Sequence, residues 1–320
     1  MKAMIGELRI GMQVDSLFSV KYKRAPVLYN PAKGGIGWRF AFGAADRTGE
    51  IEVSYWGGAD EKGVRALHAS FREGDIVRVK GMVGTWKDRP KIDVNEGMGS
   101  IEKAQPTDLS DFIPATTKDV GALYGELLAL VAGVQHAGLK QLLEAFFLDP
   151  AFAAAFKKAP GAMTIHHAWL GGLLEHSLGV ARIALAAARN YPGVDQDLVL
   201  AGSLLHDVGK MRELEVTTNI KIGEEGMLRG HTVLGEEMVR EKAKGILDEL
   251  TLLKLSHIIL SHLGKNEHGA PKEPMFTEAA VVYYADELDS KANQFERIRT
   301  ETTTEDFRVY DRWLHEVYLR

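Results

Sequence analysis

The hydrophobic pattern of this 320-residue chain changes period once along its length, and that change limits the fold more than any other feature. Before residue 105 or so, apolar side chains alternate with polar ones, as in Trp38–Phe42, Ile51–Trp56 and Ile76–Val83. A strand sends successive side chains to opposite faces, so a period of two marks sheets with one buried face. From Thr117 onward the apolar positions recur at helical spacing, through 120–134, 137–148, 165–190, 197–208, 231–244, 247–262 and 276–292. Tyr191-Pro192-Gly193 separates two of these helices, and 213–230 reads as a loop or a hairpin. Between the two regimes lies a polar, proline-containing stretch without periodicity. The pattern therefore predicts a β domain over 1–105, a linker over 106–116 and a helical domain over 117–320.

Charge follows the same division. Residues 1–105 carry 17 Lys+Arg against 13 Asp+Glu, a balance of +4, while the remainder carries 22 against 31, a balance of −9. A mildly basic module is joined to an acidic one, which suits a nucleic-acid partner for the first part only. The chain contains no Cys, which excludes disulfides and thiolate metal sites and is compatible with a cytoplasmic location. No apolar run reaches the roughly 18 residues that would suggest a membrane span.

In the first domain, Asp46-Arg47-Thr48-Gly49 reads as a turn between strands, Glu73-Gly74-Asp75 precedes another strand, and 60–71 has room for a short helix. Several strands with one helix in about a hundred residues suit a small closed barrel. The order of "FAFGAADRTGEIEVSYWG" and "FREGDIVRVKGMVGTWKDRPKIDV" resembles an OB-fold. Such barrels bind single strands by stacking bases on aromatic rings above a basic groove. Trp38, Arg39, Tyr55, Trp56, Trp86, Lys87 and Arg89 are the candidate contacts. Trp86, Lys87 and Arg89 sit in a polar turn and are expected to be exposed, whereas Phe40 and Phe42 are expected in the core.

The chemistry-bearing residues lie in the helical half. "SLLHDVGK" ends a predicted helix with His206 and Asp207 adjacent and Lys210 one turn on. His176 has Gly172, Leu173, Gly179 and Val180 as its helical neighbours, so it faces inward. His231 begins a helix, His262 ends one, and Asp286 follows an apolar run. Each alone reads as a hydrogen-bonded core residue. Four imidazoles and two carboxylates buried in one domain are costly unless they are paired or hold a metal. A set this rich in imidazole favours a transition ion over Mg²⁺ or Ca²⁺.

The ordered set His176, His206-Asp207 and Asp286 resembles the signature of the HD superfamily, and His231 and His262 resemble its two-metal phosphodiesterases. More narrowly, "HHAWLGGLLEHSLGV", "AGSLLHDVGKMRELE" and "ILSHLG…APKEP…YADELDSK" resemble the YhaM-type 3′-to-5′ exoribonucleases, which join an OB-fold to an HD domain. This resemblance implies a multidomain α and β fold, an OB-like barrel followed by an all-α HD domain, and a metal-dependent phosphodiesterase acting on single-stranded RNA or DNA. It implies one ion on His176, His206, Asp207 and Asp286, with Asp207 bridging to a second on His231 and His262. Mn²⁺ is the implied ion, with Fe, Co, Ni and Zn as alternatives. By resemblance, a metal-activated water attacks phosphorus, Lys210 neutralises developing charge, and His166 or His167 touches substrate or metal. A homo-oligomer is compatible with this reading. The competing reading is an HD phosphohydrolase of nucleotides or cyclic dinucleotides. Two departures stand out: His262 is followed by Leu263 where the family carries a second His, and the Gly-rich stretch Pro26 to Gly37 matches poorly.

Overall fold

The computed structural model describes residues 3–30, 36–87, 89–105 and 109–320. Residues 31–35 of the Gly-rich stretch and 106–108 of the expected linker lie outside the described residues. The chain divides into two compact units, Met1–Pro114 with Val216–Asn219, and Ala115–Glu215 with Ile220–Arg320.

The first unit is built from β1 (Gln13–Tyr29), β2 (Gly37–Asp46), β3 (Gly49–Trp56), α1 (Glu61–Ala69), β4 (Ile76–Trp86), β5 (Arg89–Asn95) and β6 (Ser100–Ala104). The strands run in the order β1-β2-β3-β5-β4-β6, and β1 also pairs with β4, which closes the barrel. β1 closes it because of its length: Gln13–Ser19 pairs with β4, and Ser19–Tyr29 pairs with β2 across two register shifts. A parallel β3–β5 pair completes the circuit, with α1 in the β3–β4 connection. This is OB-fold topology. Inward positions alternate as the pattern predicts, and Val14, Phe18, Phe40, Phe42, Val53 and Ile92 fill the interior.

The segment expected as a free linker is partly anchored. Phe112 and Ile113 are buried, and Arg47 donates a backbone hydrogen bond to the Asp111 carbonyl. The two apolar side chains inside an otherwise polar stretch give it something to bury, and the unit boundary falls after Pro114.

The second unit contains α2 (Val120–Gly133), α3 (Ala137–Phe147), α4 (Pro150–Phe156), α5 (Gly172–Ala188), α6 (Gln196–Leu205), α7 (Lys210–Glu213), the hairpin β7 (Leu214–Val216) and β8 (Ile220–Ile222), α8 (Glu224–Lys242), α9 (Glu249–Ser261), α10 (Thr277–Glu301) and a second hairpin, β9 (Arg308–Asp311) and β10 (His315–Tyr318). Aspartates cap several starts: Asp119, Asp149, Asp195 and Asp248 each accept from amides of the first turn. Each such cap stabilises its helix by about 1 kcal/mol. Leu127, Leu142, Phe146, Leu173, Leu178 and Leu204 lie in the shared core.

Helix α5 begins at Gly172, not at 165 as the periodicity predicts. Gly171 takes a left-handed φ of 81°, and His167 has φ 49°, so 165–171 is a structured loop that carries both of its histidines. Helix α8 is interrupted at Gly230 (φ 70°, ψ 155°), so a new helical run begins at His231. The hairpin β9–β10 had no recognised signal in the sequence. No helix of the described residues is long and apolar enough to cross a membrane.

Candidate metal centre and nucleic-acid surface

Elements α5, α6, α8, α9 and α10 each contribute to one cluster, and their close approach depends on glycine. A Cβ on Gly179, one turn after His176, would sit 2.2 Å from Asp289 Oδ1, so a side chain there would displace the carboxylate that meets His176. A Cβ on Gly209, in the His-Asp-x-Gly-Lys run, would sit 2.0 Å from the His231 carbonyl oxygen. That glycine is where α8 packs against the 206–210 segment.

At the centre, Asp207 is buried and divides its two oxygens. Oδ2 lies 3.4 Å from both His176 Nε2 and His206 Nε2. Oδ1 lies 3.5 Å from both His231 Nε2 and His262 Nε2. Asp286 Oδ1 adds a second carboxylate to the first group, 3.1 Å from His176 Nε2 and 4.0 Å from His206 Nε2. All six residues expected to form the centre therefore come together.

The protonation of the rings follows from their far sides. His206 Nδ1 is 2.8 Å from the Ser203 carbonyl and His262 Nδ1 is 2.7 Å from the Ile259 carbonyl. His176 Nδ1 is 2.8 Å from Asp289 Oδ2, and His231 Nδ1 is 3.1 Å from Glu213 Oε1. Carbonyls and carboxylates accept, so each Nδ1 donates and each Nε2 of a neutral ring presents a lone pair inward. His176 Nε2 and His206 Nε2 face each other at 3.3 Å. Asp207 Oδ1, His231 Nε2 and His262 Nε2 are buried with no hydrogen-bond partner. Buried acceptors converging without donors are destabilising unless a cation sits among them. Two triads of donor atoms, His176–His206–Asp207 and Asp207–His231–His262, are each compact enough to hold an ion. The donor set thus fits a divalent metal.

The electrostatics point the same way. Burial alone would push the His176 pKa down, but hydrogen bonds to Asp207, Asp286 and Asp289 hold it well above the ordinary value. Burial would raise Asp207, but Lys210, His206 and His176 hold it well below the usual carboxylate range. The cluster is a place that demands positive charge.

Lys210 Nζ lies 2.6 Å from Asp207 Oδ2 and is largely buried. His166 and His167 both pack against the His176 ring, at centroid distances of 5.7 and 5.1 Å. Burial, with Lys210 and His176 nearby, pushes the His166 pKa down to about 4, so its ring is neutral at pH 7. His167 is buried, and its Nδ1 has no partner. Its unusual backbone is held by hydrogen bonds from Gly161 and Trp169 to its carbonyl and from its own amide to Asn293. His257 stands apart, accepting from the Met275 amide and packing on Phe276. Sequence reasoning missed Asp289 and Glu213. Asp289, one turn after Asp286 and so close to its helix face, was the available signal; nothing local marks Glu213.

On the barrel, adjacency decides which aromatics face out. Tyr55 and Trp56 are neighbours on one strand and cannot share a face. Tyr55 is 7% exposed and stacks on Phe40 in the core, which corrects its expected place in the groove. Trp56 faces outward, with the Tyr29 ring against it, Arg39 and Lys91 within about 5 Å of its centroid, and its Nε1 donating to Asp93 Oδ1 at 2.6 Å. Trp38 is half-buried, with one side against the core and Arg65 over its ring. Trp86 is 65% exposed, and Lys87 and Arg89 flank it in the β4–β5 turn. Two depressions of about 490 Å³ each meet at Lys91, one beside Trp86 and Arg89 and the other beside Trp56 and Tyr29. A larger one, about 1140 Å³, borders Arg78 and Lys80, but Asp15 takes up both charges at 2.6 and 3.7 Å.

Residues 173–291 match the family model described as HD domain. The chain is 32% identical over 256 residues to the 3′-5′ exoribonuclease YhaM of Shouchella clausii, covering 79% of this chain and 77% of that protein. It is 29% identical over 253 residues to YhaM of Bacillus subtilis, covering 79% and 78%. Among solved structures, the second OB-fold domain of replication protein A from Methanococcus maripaludis aligns with 34% of this chain and 99% of its own, at 21% identity and a TM-score of 0.27.

Proposed function

The chain belongs to the YhaM family of 3′-5′ exoribonucleases, and on that premise we propose that it removes nucleotides one at a time from the 3′ end of single-stranded RNA, in the cytoplasm, with two divalent ions, Mn²⁺ foremost. The observation that carries this reading is the divided carboxylate of Asp207, with two bare imidazole nitrogens facing each of its oxygens.

His176, His206, Asp207 and Asp286 would hold one ion, and Asp207, His231 and His262 the other. Bound there, divalent ions supply Lewis acidity toward a phosphate oxygen and lower the pKa of water. The chain's own residues do the rest. Asp289, Glu213 and the Ser203 and Ile259 carbonyls hold the four rings in one tautomer, so no rearrangement is needed when substrate arrives. Lys210 is placed to shift its ammonium from Asp207 toward a non-bridging phosphate oxygen as negative charge grows. His166, neutral at pH 7, can donate to or accept from the terminal nucleotide. On the barrel unit, Trp56 and Trp86 offer faces for bases, and Arg39, Lys87 and Arg89 offer charge for phosphates.

The decisive experiment incubates the Mn²⁺-supplemented protein with RNA labelled at its 5′ end, the same RNA as a duplex, single-stranded DNA, free nucleotides and a cyclic dinucleotide. A ladder shortening one nucleotide at a time from the 3′ end of the single-stranded RNA is expected. Turnover confined to nucleotides or the cyclic compound would refute the proposal in favour of the HD phosphohydrolase alternative.

A further inference from the structure

The two halves of the cluster are not held alike. His176 lies within α5, and His206 and His262 end α6 and α9 with their Nδ1 atoms tied to carbonyls three residues back. His206 and His262 are fixed by the helices they belong to, and His176, inside α5, by Asp289 as well. His231 differs in three respects. It follows the break at Gly230, so it lacks an uninterrupted helix before it. Its side chain is 17% exposed, against 0–1% for the other three rings. Its backbone amide and its Nδ1 both donate to one oxygen, Glu213 Oε1, at 3.0 and 3.1 Å.

Glu213 is itself well anchored. It ends α7, six residues after Asp207, and its carbonyl accepts from the Gly223 amide at 2.8 Å. A single carboxylate oxygen thus replaces both the backbone partner that the broken helix withholds and the ring partner that His206 and His262 find three residues back. We propose that Glu213 is a positioning residue that aims His231 Nε2 at Asp207 Oδ1, and that it thereby controls filling of the Asp207–His231–His262 position while leaving the His176–His206–Asp207–Asp286 position untouched. This rests on the two-ion reading above.

The role is geometric: one acceptor oxygen must reach two donors. Glu213→Gln keeps that reach and removes the charge. Glu213→Asp keeps the charge and withdraws the oxygen by roughly one bond, about 1.5 Å. The test titrates the metal-stripped full-length protein with Mn²⁺, counting bound ions by the loss of the free-ion electron paramagnetic resonance signal. Circular dichroism checks that each variant stays folded.

Wild type should bind two ions, and Glu213→Gln should match it within a few-fold. Glu213→Asp should bind one ion normally and the second about 10- to 100-fold more weakly, the usual effect of losing a ligand's outer partner. Any other pattern overturns the proposal. If Asp retains the second ion and Gln loses it, charge is what matters; if both variants behave as wild type, Glu213 plays no part; if both ions weaken together, the halves are not separable. A wild-type protein that binds fewer than two ions defeats the two-ion reading itself, which distinguishes that failure from failure of the Glu213 assignment.

Discussion

The helical unit and the barrel treat polar side chains in opposite ways. In the helical unit, three buried polar atoms without hydrogen-bond partners, Asp207 Oδ1, His231 Nε2 and His262 Nε2, converge on one point. On the barrel, the charged and aromatic groups near Trp56 are partnered or open to solvent: Lys91 Nζ rests on Asp93 at 2.6 Å, and Trp86 projects from its turn. Buried unsatisfied atoms cost stability and persist where something absent from the protein chain completes them. Exposed rings beside cations cost little and offer a tolerant surface. On the proposed function, the contrast is between a buried pocket for small cations and an open surface for a long, variable strand.

The strongest challenge to that contrast is Asp207→Ala, which removes the shared carboxylate. Losing several kcal/mol of stabilisation in the transition state should lower the single-turnover rate on RNA by about 10³-fold or more, with circular dichroism near wild type. Retained turnover would show that the buried cluster is not the chemical centre. Asp289→Ala should weaken Mn²⁺ binding by about 10- to 100-fold, read by titration, because His176 loses the acceptor that fixes its tautomer. On the barrel, Trp86→Ala should raise the dissociation constant for a single-stranded oligonucleotide about fivefold or more, since a stacked base contributes about 1–3 kcal/mol. Unchanged affinity would move the binding surface away from the β4–β5 turn. Replacing Lys87 and Arg89 by Gln should flatten the dependence of log affinity on log salt by about one for each phosphate no longer neutralised. The smallest effect belongs to Tyr55→Phe: its ring packs inside the barrel, so oligonucleotide affinity should not move. A loss there would mean that the inward residue reaches substrate after all.

Much of this is legible in the amino-acid order. The change of period separates barrel from helices, and the residues His176, His206, Asp207, His231, His262 and Asp286 are identifiable as a set because isolated inward histidines are expensive and several together are not accidental. The period-two rule already implies that Tyr55 and Trp56 do not both face a groove. Other features have no local signature. The loop at 165–171 looks helical because Ile165, Ala168 and Trp169 sit at helical spacing, yet Gly171 and the left-handed His167 end that run before α5 begins. Phe112 and Ile113 are too few to register as an element, though enough to anchor the stretch that holds them.

What the sequence determined by itself is the inventory: which donor types exist, that they face inward, and that they arrive on separate helices. Only the tertiary structure decided which nitrogen of each ring carries the proton and which aims at Asp207. That choice depends on acceptors supplied from elsewhere in space, Asp289 113 residues from His176 and Glu213 18 residues from His231. A lone pair's direction is a property of the packed arrangement, because the same imidazole presents a donor or an acceptor according to what its far side touches.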